Sequence, residues 1–174
     1  MKKLIYAVIL AISVFTAFAQ PAFSQTDVCS VSSAMLKNLC IEEDNRVQTL
    51  RNFLKRYNSP LSPYAQEFVD AADSYGLDWK LVPAISGVES TFGKQIPAGS
   101  YNAYGWNNGD FRFNSWEDSI WYVTSQLRTR YIDRGTVSVS QIGKIYAPPS
   151  PFWAGKVTLF MAKIEAVTDF ALDL

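Results

Sequence analysis

No histidine occurs anywhere in the 174 residues. That absence removes the imidazole on which Ser-His-Asp triads and Cys-His dyads depend. It also removes the HExxH zinc proteases and most catalytic zinc sites. A cysteine peptidase or a zinc amidase is therefore disfavoured, and acid–base chemistry falls to carboxylates, tyrosine or lysine. Cysteine is scarce, with Cys29 and Cys40 alone. An excess of either charge is also lacking: 16 basic residues face 16 acidic ones. Without a basic surplus, neither nucleic acid nor an anionic membrane surface is indicated as the main partner. No internal repeat and no low-complexity segment is present.

The N-terminus carries what these deficits leave open. Lys2 and Lys3 precede a mostly apolar run from Leu4 to Ala19, followed by Ala22-Phe23-Ser24. A short basic region, an apolar stretch and small residues at −3 and −1 make an export signal. Residues 1–24 are therefore expected to be a signal peptide, with the mature chain starting at Gln25. The destination is the periplasm, the cell envelope or the extracellular space. The alternative is an uncleaved anchor, but the run is shorter than the ~17–25 residues that usually span a bilayer. Removal of the signal leaves 14 basic and 16 acidic residues, a net charge of −2. Oxidising conditions outside the cytoplasm favour a Cys29–Cys40 disulfide. A single continuous helix would hold the two sulfurs too far apart, so the bond requires the chain to turn between them.

The remaining pattern is helical. Residues 31–57 suit helix in two pieces, interrupted by Glu42-Glu43-Asp44-Asn45, and Asn58-Ser59-Pro60 ends the segment. Ser62-Pro63 reads as a helix start and Gly76 as its stop. Asp78 caps a helix over 79–89. Residues 90–114 are rich in glycine, asparagine and aromatics, which predicts loops with a short hairpin. Ser115-Trp116-Glu117-Asp118 resembles a capping box and opens a helix to about 131, stopped by Arg134-Gly135. Ser138 starts a short helix ending near Tyr146, and Ser150 is the expected cap of a last helix over 151–170. The fold class is mostly α, one domain with an irregular insertion: residues 25–58 form a helical extension and 59–174 the main domain. A chain of this size buries enough surface for one core.

On a helical wheel, ~100° per residue, Leu81 lies at ~0°, Ile85 at ~40° and Val82 at ~100°. Glu89 falls at ~80°, inside that apolar arc. An unpaired carboxylate there is costly, and desolvation favours its protonated form. The partial negative charge of a helix C-terminus acts in the same direction. A carboxyl kept protonated near neutrality is what a general acid for glycoside cleavage requires. The competing explanation is a structural carboxyl bonded to nearby backbone.

Four motifs follow in order: Val88-Glu89-Ser90-Thr91-Phe92-Gly93, Asn102-Ala103-Tyr104-Gly105-Trp106, Phe113-Asn114-Ser115-Trp116-Glu117-Asp118-Ser119-Ile120 and Tyr146-Ala147-Pro148. Together, over about residues 65–165, they resemble the lysozyme-like endo-β-N-acetylglucosaminidases of glycoside hydrolase family 73. More distantly, the Glu-Ser start resembles lytic transglycosylases. The resemblance implies a lysozyme-like fold and cleavage of β-1,4-linked N-acetylated glycan, most simply peptidoglycan. It matches Glu89 to the catalytic acid, Asn102 and Gly105 to a strand lining the glycan cleft, and Tyr146 to a tyrosine near the scissile bond. Ser90 and Tyr104 belong to the same substrate-binding motifs. The chain departs from the family where Thr91-Phe92 replaces Gly-Trp and where Pro148 stands in place of threonine. The stretch before Phe111 is also short for a family member carrying a second catalytic glutamate.

A second carboxylate is not obvious. Asp118 is better explained as the partner of Ser115, and Glu117 as first-turn charge on the helix dipole. Asp110, on an Asn-Gly-Asp turn, is the freest candidate. A single-acid mechanism that uses the substrate's own N-acetyl group, assisted by Tyr146, fits the composition better. Trp106 and Trp153 lie in or beside irregular segments and are the expected sugar-stacking platforms, whereas Trp121 and Phe113 suit the core. No metal or organic cofactor is implied, and a monomer is expected. Two other activities fit the same residues: a lytic transglycosylase, or a non-catalytic module that binds wall glycan.

Overall fold

The computed structural model describes residues 44–169. The expected signal peptide, the Cys29–Cys40 pair and the first part of the 25–58 extension lie outside the described residues. Six α-helices and no β-strand occur among the residues described. None of these helices is long and apolar enough to cross a membrane.

Local chemistry sets most helix ends. Helix α1, Asn45–Arg56, starts at Asp44, whose side chain accepts from the Arg46 amide, and closes with Lys55 and Arg56 in its last turn. Both features complement the helix dipole and its unpaired end groups. The Arg46 guanidinium bonds Asp44 and also reaches Asp73 at 2.7 and 2.8 Å. It holds both carboxyls below the usual range, chiefly through its hydrogen bonds to them. A 3₁₀ turn, Ser62–Tyr64, leads into α2, Ala65–Tyr75. Gly76 closes α2 at φ 60°, a left-handed conformation in which glycine has no Cβ to clash.

Helix α3, Leu81–Ser90, follows an Asp78 side chain that accepts from the Lys80 amide at 3.0 Å. Helix α4, Trp116–Gln126, is capped by the Ser115 hydroxyl. It runs on through a π-helical turn, Leu127–Tyr131, and a 3₁₀ turn, Ile132–Arg134, to left-handed Gly135. Helix α5, Val139–Tyr146, is capped by Ser138, and α6 spans Trp153–Asp169.

Helix α3 occupies the centre, between α6 on one side and α4 on the other, while α1 and α5 also pack on α6. Every residue from Leu81 to Gly87 is buried. That burial changes the meaning of the apolar arc: α3 has no exposed face over its first two turns, so periodicity does not single out Glu89. The expected hairpin in 90–114 is absent. Left-handed residues at Tyr101, Gly105, Asn107, Asn108 and Gly109 break any extended run. The segment Asn102–Gly105 is accordingly a turn and not a strand. A hydrogen bond from the Phe113 amide to the Ser100 carbonyl, 2.9 Å, holds the base of the loop.

Candidate active site

The site begins where α3 stops. Thr91, Phe92 and Gly93 follow Ser90 with φ of 54°, 57° and 80°. Left-handed backbone costs roughly 1–2 kcal/mol for each non-glycine residue, so the turn requires support. Phe92 supplies it: the ring is fully buried, 5.4 Å from Phe53, 4.5 Å from Tyr57 and 4.9 Å from Phe160. A Cβ on Gly87 would lie 2.5 Å from that ring, so the helix interior needs glycine there. The Ser59 hydroxyl donates to the Phe92 carbonyl at 2.8 Å. The Ser90 hydroxyl donates to the Ala103 carbonyl at 2.7 Å and accepts from the Gly93 amide at 2.8 Å. Ser90 thus ties the turn after α3 to the loop that faces Glu89.

The Glu89 carboxyl is held from two sides. Trp153 Nε1 donates to Oε1 at 2.6 Å. Opposite, a Cβ on Gly105 would lie 2.8 Å from Oε2, and Gly105 has φ +62°. Both the backbone angle and the close approach require glycine at 105. Burial pushes the Glu89 carboxyl above its ordinary value, and the Trp153 hydrogen bond opposes that rise. Trp153 is itself fixed. Its ring stacks on Tyr146 with centroids 5.1 Å apart, and a Cβ on Gly143 of α5 would come within 2.9 Å of it.

This arrangement gives a pH prediction. Replacing Trp153 with phenylalanine removes a donor that favours the ionised carboxylate. The Glu89 carboxyl then stays protonated to higher pH. For a reaction that needs the protonated acid, the falling basic limb of the rate profile is expected to move upward in pH relative to wild type. Initial rates across pH 4–9, on the N-acetylated glycan that the sequence resemblance implies as substrate, check this; an unmoved or downward-shifted limb contradicts it.

Asn102 organises the facing loop. Its amide nitrogen donates to the carbonyls of Trp106 and Phe111 at 2.9 and 3.0 Å. Its amide oxygen accepts from the Trp106 amide at 2.9 Å. One side chain therefore takes the part that a partner strand would play. The Tyr146 hydroxyl donates to the Tyr104 carbonyl at 2.6 Å, next to Gly105. Burial first, and then the charge of Glu89, push that hydroxyl well above its ordinary value. Tyr146 is a neutral donor at physiological pH, and its proton is directed into the protein.

The surfaces of these residues enclose a cleft of about 610 Å³, lined by Glu89, Ser90, Gln95, Pro97, Asn102, Gly105, Asn108, Gly109 and 146–149. Glu89 is the only carboxylate among the described residues of that lining. A second pocket of about 340 Å³ adjoins it across Gly105, Asn108 and Tyr146 and contains Trp106. The fold thus brings Glu89, Ser90, Asn102, Gly105 and Tyr146 together and sets Trp106 beside them. Three other expectations are revised. Trp153 is only 2% exposed, so it holds the carboxyl and offers no face to a sugar. Tyr104 is fully buried and contributes its backbone carbonyl alone. Asp110 is exposed and outside the lining of the cleft. Asp118 accepts from the Asn114 amide at 3.0 Å while donating its own amide to Ser115, as a helix-start residue does. Phe113 is buried, and Trp121 is half-buried with its indole bonded to Glu67 at 2.7 Å.

The sequence reading missed Gln95, Asn107, Asn108, Arg130 and Tyr131, all of which line the two pockets. Only the Asn107-Asn108-Gly109 run carried a signal, as a site of left-handed backbone. No protein-family model matches the chain, and no curated protein matches it.

Proposed function

We propose that the chain is an exported, lysozyme-like glycosidase that cleaves β-1,4-linked N-acetylated glycan of peptidoglycan. The observation that carries this reading is a half-buried glutamate with a raised pKa, the one carboxylate among the described residues of its cleft. Glu89 donates its proton to the glycosidic oxygen as the bond to C1 breaks. The substrate's 2-acetamido oxygen attacks C1 from the opposite face and closes a cyclic oxazolinium. The Glu89 carboxylate then takes a proton from the acceptor that opens this ring. Trp153 steadies the carboxylate between the two steps. Tyr146 contributes by fixing the Tyr104–Gly105 backbone against Glu89.

The same lone carboxylate favours a second reading, a lytic transglycosylase. In that case the acceptor is the sugar's own 6-hydroxyl, and no water is consumed. Mass spectrometry of fragments from digested peptidoglycan separates the outcomes. Reducing N-acetylglucosamine ends are the expected products; anhydromuramic ends identify the transglycosylase. Intact glycan that nonetheless retains the protein identifies a wall-binding module and overturns the enzyme reading.

A further inference from the structure

The pocket beside the Glu89 cleft has a different character from the cleft itself. It is bounded by Gly105, Trp106, Asn107, Asn108, Arg130, Tyr131 and Tyr146. Arg130 is its only charged side chain among the described residues. Arg128, two residues earlier, is neutralised by Asp133 at 2.8 Å. Arg130 is exposed and has no ion-pair or hydrogen-bond partner among the described residues.

Arg130 and Tyr131 close the π-helical turn that follows α4. A π turn inserts one residue into the helical register, and such turns are frequent at functional positions. Here two consecutive residues both line the pocket. The Arg130 charge acts on the Tyr131 hydroxyl, so the two polar ends are close. Across the pocket, Asn107 and Asn108 are left-handed at φ 53° and 55° and exposed. Trp106 forms the apolar wall, its ring edge-on to Tyr146 at 6.2 Å.

We propose that this pocket is an anion subsite in which Arg130 binds the free lactyl carboxylate of a muramoyl residue next to the scissile bond, on glycan strands from which the stem peptide has been removed. The inference rests on the glycosidase reading for its substrate. It adds the means by which the cleft distinguishes an acidic N-acetylated glycan from a neutral one. A guanidinium presents a planar fork that matches a carboxylate, and the described residues of the pocket include no competing acid. Trp106 offers the apolar surface against which the ring bearing that carboxylate rests. A neutral chitin-type oligomer fills the Glu89 cleft equally well but leaves Arg130 without a partner.

The test compares two soluble tetrasaccharides by calorimetric titration: one alternating N-acetylglucosamine with N-acetylmuramic acid, the other all N-acetylglucosamine. Wild type is expected to bind the acidic oligomer about 10-fold more tightly, the size of one hydrogen bond to a charged group. Arg130→Gln is expected to abolish that preference by weakening the acidic ligand alone, and Arg130→Lys to restore part of it. Added salt is expected to erode the wild-type preference and leave neutral binding unchanged. Equal wild-type affinities, a preference that survives Arg130→Gln, or binding of neither oligomer overturns the subsite. Cleavage is read separately on the same oligomers. A charge preference without any cleavage refutes the glycosidase and leaves the subsite standing.

Discussion

Glu89→Gln is expected to lower the rate of peptidoglycan digestion by about 10²–10⁴-fold, the usual contribution of a general acid. The amide preserves the shape of the side chain and can still accept from Trp153 Nε1 through its oxygen. What it lacks is the proton for the leaving oxygen. Glycan binding is expected to persist, because Trp106, Arg130 and the Asn102-held loop are untouched. Turbidity loss of purified peptidoglycan, run beside a pull-down on the same material, measures both. Equal digestion by wild type and variant sinks the assignment. The substitution also changes stability in a direction that burial dictates. The folded-state pKa of Glu89 lies above its ordinary value. The stabilisation linked to its proton is full below the unfolded value, ~4.3, and is lost as pH rises through the folded value. Glutamine does not titrate. Its melting temperature relative to wild type is therefore expected to be more favourable at pH 8 than at pH 4. A difference that stays constant or reverses between those two pH values contradicts the burial of the carboxyl.

Gly105→Ala is expected to be nearly as damaging to activity, although the residue carries no functional group. The new methyl would stand 2.8 Å from Glu89 Oε2, so carboxyl and loop must separate. A displacement of about 1 Å at reacting groups costs roughly 10²-fold in rate. The left-handed backbone adds about 1–2 kcal/mol of destabilisation by itself. Gly135→Ala separates the two effects. That glycine has φ +97°, open space around its Cβ position and no part in the cleft. It is expected to lose comparable stability and keep its rate. Melting curves and digestion rates on both variants provide the comparison. If Gly105→Ala retains full activity, or if Gly135→Ala loses as much activity as Gly105→Ala, the contact with Glu89 is not what matters at position 105.

Several helix ends were legible in the sequence because single residues make them. The Ser115 and Ser138 hydroxyls cap backbone amides three residues on, and left-handed Gly76 ends its helix through its own backbone, so local spacing is sufficient. Three features were not legible, each for a long-range reason. The hairpin expected in 90–114 fails because Asn102 bonds backbone at 106 and 111 in place of a second strand. Trp153 looked open because it follows a proline-rich connector, yet the start of α6 turns it inward onto Glu89, 64 residues away in sequence. Arg130 and Tyr131 gave no periodic signal, because a π turn shifts the register there. The placement of Glu89 was visible through the turn that follows it rather than through the wheel. An all-round buried helix has no exposed face against which a carboxyl stands out.

The left-handed turn after Ser90 also bears on the order in which the molecule is assembled. Its unfavourable backbone is offset only when the Phe92 ring is enclosed, and the enclosing rings come from positions 53, 57 and 160. Phe160 belongs to α6, as does Trp153, the donor to the Glu89 carboxyl. Helix α6, made after the other five described helices, therefore supplies both the wedge beneath the turn and the clamp on the acid. Until it docks, the chain has a glutamate but no positioned one. Under the proposed reading, the acid therefore becomes competent only once α6 has docked.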